Sequence, residues 1–326
     1  MNEKTLKYYT EKLTKFRRDN KNGGAPHKPI LLLSIISNIE NGLIKDNRIY
    51  LLPELVATFK KIWIDLVIGE GHHCKLAMPF YHFHTSPFWK LIPKVGFELA
   101  IKSKIAMKTF SNLHAAVEYA EIDIELFIFF KKEEQRDYLK NEILNKFFPR
   151  TKENFSNDNN SYIRQIENDI LNEPSIQYRK KLKKLQEISR IETFEEERYI
   201  RGSIFKRQIP MLYQNTCAIS GLQINATINV SLIDACHIVP FSHSYDDTLT
   251  NGISLTPTLH RAFDRGLISI DENYKVLISD KFSEGNNSNF SIKQFEGKQI
   301  FLPKNEKYYP NIENFIWHNI KFGFKK

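Results

Sequence analysis

The sequence predicts an α+β chain. Residues 1–150 form a mainly α-helical domain, residues 151–200 a linker and charged helical connector, and residues 201–326 a domain in which short strands meet a helix. Three observations carry this. Apolar residues recur at helical spacing through most of the first 150 positions. The polar run TKENFSNDNNSY (151–162) interrupts them and has the composition of a linker. From Cys217 the pattern changes to short apolar runs separated by polar turns, in the order strand, loop, strand, helix.

The elements follow in order. Leu6, Tyr9, Leu13 and Phe16 fall at i, i+3, i+7 and i+10 and predict a helix over residues 1–20. The Gly- and Asn-rich stretch 20–26 breaks it. A buried helix begins at Pro29, whose fixed φ suits a first helical position, and ends at Gly42. Residues 52–68 predict another helix, with Pro53 near its start. Residues 75–93 are aromatic and Pro-rich and predict loop and strand. Residues 113–130 and 133–148 return to helix, and Pro149 closes the domain. Residues 163–200 predict helix and carry a basic run, Arg179, Lys180, Lys181, Lys183 and Lys184, which is either a solvated face or a phosphate-contact surface. A strand over 230–238, a polar loop before Gly252 and a helix starting near Pro257 come next. Strands follow Asp271, and FLPKNEKYYPNIENFIWHNIKF supplies a closing helix.

The formal charge of +9 favours a polyanionic partner. The start, MNEKTLKYYTEKL, is charged and lacks the apolar core of a signal peptide, and the longest apolar runs are too short to span a bilayer. Only 3 cysteines occur, without framework spacing. A cytoplasmic protein with no membrane partner is expected.

The stretch 217–271 reads CAISGL, then LIDACHIVPFSH, then LTNGISLTPTLHRAFDRGLISID. His237, Asn251 and His260 stand on successive elements of it. It resembles the HNH nuclease family, and the resemblance implies a ββα-metal fold that cuts phosphodiesters. Hydrolysis there needs a base to take a proton from water and a cation to neutralise developing charge. By resemblance His237 is the base, Asn251 braces the loop that orients it, and His260 ligates one divalent metal, Mg²⁺ first and Mn²⁺ as the alternative. Asp264, four residues after His260 on the same helix, shares its face and is a candidate second ligand. The sequence departs from the family directly before the base, where Cys236 replaces the usual Asp or His; a thiolate is a poor Mg²⁺ ligand. Asp234 is the nearest carboxylate in the strand. Asp234 and Cys236 share one strand face and His237 takes the other. Which carboxylate ligates stays open. Cys217 and Cys236 have no CxxC neighbour, so no structural zinc is expected and both read as small buried hydrophobes. Arg261 and Arg265 either contact the scissile phosphate or solvate the surface.

Two further segments, GGAPHKPILLLS (23–34) and MPFYHFHTSPFWKLIP (78–93), resemble the sulfur-binding domain at the N-terminus of modification-dependent HNH restriction enzymes. That resemblance implies recognition of phosphorothioate DNA. Amides at the start of the Pro29 helix favour anions, and His27 and Lys28 add donors. Sulfur is larger than oxygen and a weaker acceptor, so its site should pair an apolar dent with positive charge. Pro79 with Phe80, Tyr81 or Phe83 are candidates for the dent, beside His82, and Arg17, Arg18 or Lys28 for the charge. An aromatic cluster is more often core than binding site, so Phe80, Phe83, Phe88 and Trp89 are expected mainly in the core. Met78 and His82 stand where the family has an aromatic and a small residue. The function implied is a metal-dependent endonuclease of bacterial defence acting on phosphorothioate-modified duplex DNA. The alternatives are another modified or an unmodified DNA target, or an inactive HNH fold that only binds DNA. One metal centre per chain implies a homodimer for cutting both strands.

Overall fold

The computed structural model describes residues 5–19, 24–69, 71–102, 107, 109–156, 158, 160–224, 231–285 and 291–324. Asn20–Gly23 of the expected break lie outside the described residues, as do Asn157 and Asn159 of the linker and Val230 at the expected strand start. The chain divides into two compact units. One comprises residues 1–165 and 189–200, the other residues 166–188 and 201–326.

In the first unit, α1 (Leu6–Thr14) is capped by the Thr5 hydroxyl and buries Tyr9 and Leu13, as the spacing required. Helix α2 (His27–Glu40) starts two residues before Pro29 and is buried from Pro29 through Ile39, which accounts for its unbroken apolar run. Gly42 follows it in the left-handed region. Around α2 pack α3 (Pro53–Leu66), α4 (Ala77–His82), α7 (Ile124–Lys131) and α8 (Glu133–Phe147). Helices α5 (Glu98–Lys102) and α6 (Phe110–Ala116) complete the helical part. A three-stranded antiparallel sheet has the order β1 (Arg48–Ile49), β3 (Val117–Ile122), β2 (Trp89–Pro93).

The structure corrects two expectations. Residues 113–130 are not one helix: β3 interrupts them, because Val117, Ala120 and Ile122 turn inward while β1 and β2 take up the backbone hydrogen bonds on either side. Within 75–93, residues Ala77–His82 are helical. The carboxylate of Glu196, distant in sequence, accepts the Leu76 N–H at 2.8 Å and so satisfies the start of α4.

Helices α9 (Ser161–Asn172), α10 (Ser175–Ile188) and α11 (Ile191–Leu212) occupy the expected connector. Residues 166–188 and 201–212 belong to the second unit. That unit holds a hairpin of β4 (Asp234–His237) and β5 (Gly252–Leu255), the short α12 (Phe241–Ser244) between them, then α13 (Pro257–Asp264). A second hairpin, β6 (Ile268–Ile270) with β7 (Val276–Ile278), and the closing helix α14 (Ile312–Phe322) follow. Helix α14 locks onto the second hairpin through His318, whose ring stands 2.8 Å from Ser269 Oγ and donates to the Phe263 carbonyl at 3.0 Å. Burial lowers the His318 pKa to about 4, so the ring is a neutral core group. Together the two units make the α+β chain anticipated from the sequence. No helix among the described residues is long and apolar enough to cross a membrane.

Candidate active site

The β4–β5 register pairs Asp234 with Leu255, Ala235 with Ser254, Cys236 with Ile253 and His237 with Gly252. Side chains alternate along β4, so His237 faces one way and Asp234 and Cys236 the other. Gly252 leaves no free room for a side chain: a Cβ there would stand 2.2 Å from Ile209 Cδ1 and 2.9 Å from Phe205 Cε2, so those side chains would have to shift. That close approach lets Phe205 of α11 stack flat on the His237 imidazole, with centroids 3.9 Å apart and planes 7° from parallel.

The loop from β4 to β5 closes on Asn251, which is 0% exposed. Its Oδ1 accepts the Val239 N–H at 3.0 Å, and its Nδ2 donates to the carbonyls of Val239 and Asp246, each at 2.9 Å. One amide side chain thus ties the end of β4 to the far arm of its own loop. Asn251 is the residue for which the sequence resemblance implied a bracing role. Tyr245 turns through the left-handed region at φ 55 and delivers two adjacent aspartates into the fold. Asp246 accepts from the Thr248 N–H at 2.9 Å, from the Thr248 hydroxyl at 2.7 Å and from the Ser175 hydroxyl. Asp247 accepts from His237 Nε2 at 2.9 Å.

On the opposite face, His260 of α13 is gripped by both candidate carboxylates. Its Nδ1 stands 3.1 Å from Asp234 Oδ2 and its Nε2 3.4 Å from Asp264 Oδ2. Cys236 Sγ lies 3.9 Å from Asp264 Oδ1. Ligand atoms of Cys236, His260 and Asp264 all fall within 4.8 Å of one another. Burial, then Asp264 and Asp234, push the Cys236 thiol well above its ordinary pKa. The donors that fit a hard dication are therefore the imidazole of His260 and the carboxylates of Asp264 and Asp234, all partly exposed. Arg261 and Arg265 are exposed on or just beyond the same helix.

Sequence reasoning missed Phe205 and Asp247. Phe205 lies on a helix far upstream of the motif, with no local signal. The doublet Asp246–Asp247 carries no signal of its own; only its place in the loop between His237 and Asn251 could have drawn attention to it.

The first unit holds the other expected contacts. Lys28 Nζ donates to the Arg17 carbonyl at 3.1 Å and stands over the rings of Phe83, at 5.1 Å, and Phe16, at 5.7 Å. The Arg18 guanidinium lies over the Phe147 ring at 4.8 Å. Burial lowers the pKa of Lys28, with the Arg17 charge adding to it, and burial alone lowers that of Arg18. The structure thus gathers Arg17, Arg18 and Lys28 beside the start of α2. His27 is engaged elsewhere: its Nε2 donates to the His73 carbonyl at 2.8 Å, and burial lowers its pKa to about 4. Pro79, Phe80 and Tyr81 are buried and only His82 of that quartet is exposed. Phe80 packs edge-on against Trp89 in the core, so it offers no surface dent.

Residues 217–271 match the family model described as HNH endonuclease. No curated protein matches the chain. Among solved structures the chain is similar to one described as a modification dependent TagI restriction endonuclease, at 16% identity and a TM-score of 0.25, over 36% of this chain and 36% of that one. The chain accordingly spans about a third of that structure's length. Residues 217–271 are an HNH endonuclease domain.

Proposed function

We propose that this chain is a metal-dependent DNA endonuclease that cuts duplexes bearing a backbone modification, phosphorothioate above all. The observation that carries the nuclease reading is the arrangement of His237, Asn251 and His260 on β4, the loop and α13, with His260 between two carboxylates. His237 takes a proton from water. Asn251 fixes the loop on which that base depends. His260, Asp264 and Asp234 would hold Mg²⁺ or Mn²⁺, which when bound neutralises charge building on the phosphate. Arg261 and Arg265 lie where a phosphate approaching α13 would meet them. The exposed lysines Lys180, Lys183 and Lys184 of α10 add a basic face to the same unit, suited to a DNA backbone. A homodimer supplies one such site per strand.

The modified-DNA reading is supported by the charge gathered at the start of α2. Lys28 is half-buried over Phe16 and Phe83, with Arg17 and Arg18 beside it. A cation against aromatic walls suits a thiophosphate anion better than a fully hydrated phosphate. The partly exposed Phe16 ring, rather than the buried Pro79, Phe80 and Phe83, is the apolar part of the reading. The full-length His237→Ala protein, with phosphorothioate and plain duplexes of identical sequence, tests both halves. The variant should lose cleavage by about 10²–10⁴-fold in Mg²⁺ while still preferring the sulfur-modified duplex. Near-normal cleavage removes the assignment of the base. Equal affinity for the two duplexes across several sequences at moderate salt removes the phosphorothioate reading and leaves the nuclease standing.

A further inference from the structure

We infer that Asp247 is a positioning residue for His237: it holds the imidazole as the Nε2–H tautomer and leaves Nδ1 as the nitrogen that takes the proton from water. The inference rests on the assignment of His237 as the base.

The tautomer follows from the partner. A carboxylate oxygen can only accept, so a neutral imidazole with Nε2 at 2.9 Å from Asp247 Oδ1 carries its hydrogen on Nε2. The lone pair then sits on Nδ1, which has no hydrogen-bond partner among the described residues. The flat stack of Phe205 on the ring, at 3.9 Å, keeps it from swinging away from Asp247.

Asp247 is spent on this contact. Its side chain is 2% exposed, and Oδ2 is buried without a hydrogen-bond partner among the described residues. A buried carboxylate normally gathers several donors, because an under-satisfied one costs free energy. Here the carboxylate is held in place and its charge is aimed at one N–H. The neighbouring Asp246 has the structural role instead, bonding Thr248, Ser175 and the loop. Two adjacent aspartates therefore divide their tasks, and Asp246 serves as the control for loop integrity.

In the hydrolytic step a water O–H bond breaks, its proton goes to Nδ1, and the electron pair left on oxygen forms the new bond to phosphorus. The P–O ester bond breaks, and the departing oxygen keeps that pair and takes a proton from solvent. The imidazolium so formed keeps its Nε2–H against Asp247, an anion already in place where positive charge develops.

The test uses the full chain. Imidazole ¹⁵N spectra of the metal-free wild type should show His237 as the Nε2–H tautomer, and Asp247→Ala should lose that preference. In plasmid cleavage, Asp247→Ala should lower kcat about 10²-fold or more with DNA affinity unchanged. Asp247→Asn, whose amide oxygen can still accept, should keep the tautomer and recover part of kcat. It also stands in if the alanine variant does not fold. Asp246→Asn should lower Tm without altering the tautomer. A wild-type Nδ1–H tautomer overturns the inference. So does a folded Asp247→Ala with kcat within about threefold of wild type or, where that variant does not fold, an Asp247→Asn that loses the tautomer while kcat stays within about threefold. If His237→Ala itself cleaves normally, the base assignment has failed, and the spectra alone still decide whether Asp247 sets the tautomer.

Discussion

Replacing Asn251 by aspartate changes almost nothing in shape and should be among the more damaging substitutions in the second unit. Oδ1 would still accept the Val239 N–H, now at 3.0 Å. The other oxygen would take the place of Nδ2, facing the carbonyl oxygens of Val239 and Asp246 at 2.9 Å each. The site is 0% exposed, so water cannot intervene. Ionised, the introduced carboxylate loses two donated bonds and sits as an unpaired buried charge, at a cost of about 3–5 kcal/mol. Protonated, its O–H recovers one carbonyl and the deficit falls to about 1–3 kcal/mol. The folded-state pKa of the new carboxyl therefore rises above its unfolded value of about 3.9. Its protonated form stabilises the fold fully below that value, and the contribution is lost as pH rises through the folded pKa. Denaturant midpoints of full-length Asn251→Asp should thus lie closest to wild type near the acid end of the stable range and furthest at pH about 8. Asn251→Ala, with nothing to titrate, should keep a constant offset. An Asn251→Asp offset that ignores pH, or one under about 1 kcal/mol at the alkaline end, would refute the clamp described for Asn251.

Gly252→Ala should cost about 1–3 kcal/mol by overpacking Ile209 and Phe205. Combining it with Ile209→Ala should prove less damaging than the two losses added, and additivity within about 0.5 kcal/mol would contradict the close approach. Glu196, 1% exposed with Oε2 lacking a hydrogen-bond partner among the described residues, has its pKa raised by burial to about 7. Its protonated form stabilises the first unit below the unfolded carboxyl pKa, and that stability, about 3 kcal/mol, is lost as pH rises through about 7. Glu196→Gln should abolish this slope in denaturant titrations, and an unchanged slope would exclude Glu196 as its source. Asp264→Asn should weaken Mn²⁺ binding, read by calorimetry, about tenfold or more, whereas Cys236→Ser should leave it unaltered. The reverse pattern would make the thiol the ligand.

How legible each part was depends on how far away its cause lies. The ββα motif could be read because its three chemical residues fall within one short stretch: His237 ends β4, Asn251 precedes β5 and His260 lies in the first turn of α13. Pro257 opens α13, and Gly252 follows the bracing asparagine into β5. Strand β3 was misread because Val117–Ile122 lies between two helical stretches, and only pairing with the distant Arg48–Ile49 and Trp89–Pro93 makes it a strand. Helix α4 was hidden for the same reason, since the carboxylate that satisfies its first amide comes from Glu196. The aromatic run around Phe80 is legible as core, and Phe80, Phe83, Phe88 and Trp89 are all buried. Its burial against Trp89 depends on β2 being present to carry that tryptophan.

The cysteine before the base can be understood from the same register. Position 236 points toward His260 and Asp264, and its sulfur already lies 3.9 Å from an Asp264 oxygen. An aspartate there would put a third carboxylate beside Asp234 and Asp264 in a site whose strand is buried at that point, and like charges so close repel strongly. A thiol, kept protonated by burial and by those two carboxylates, fills the space without charge. In the proposed metal site two carboxylates and one imidazole would then balance a single dication. The phosphate that must approach it brings a negative charge of its own, and Arg261 and Arg265 are exposed on and just beyond the helix that carries His260. In this reading Asp264, one turn after His260 on α13, takes the place of the carboxylate that the family usually has before the base. Arg261 and Arg265, which follow His260 and Asp264, would then offset the charge of the approaching phosphate.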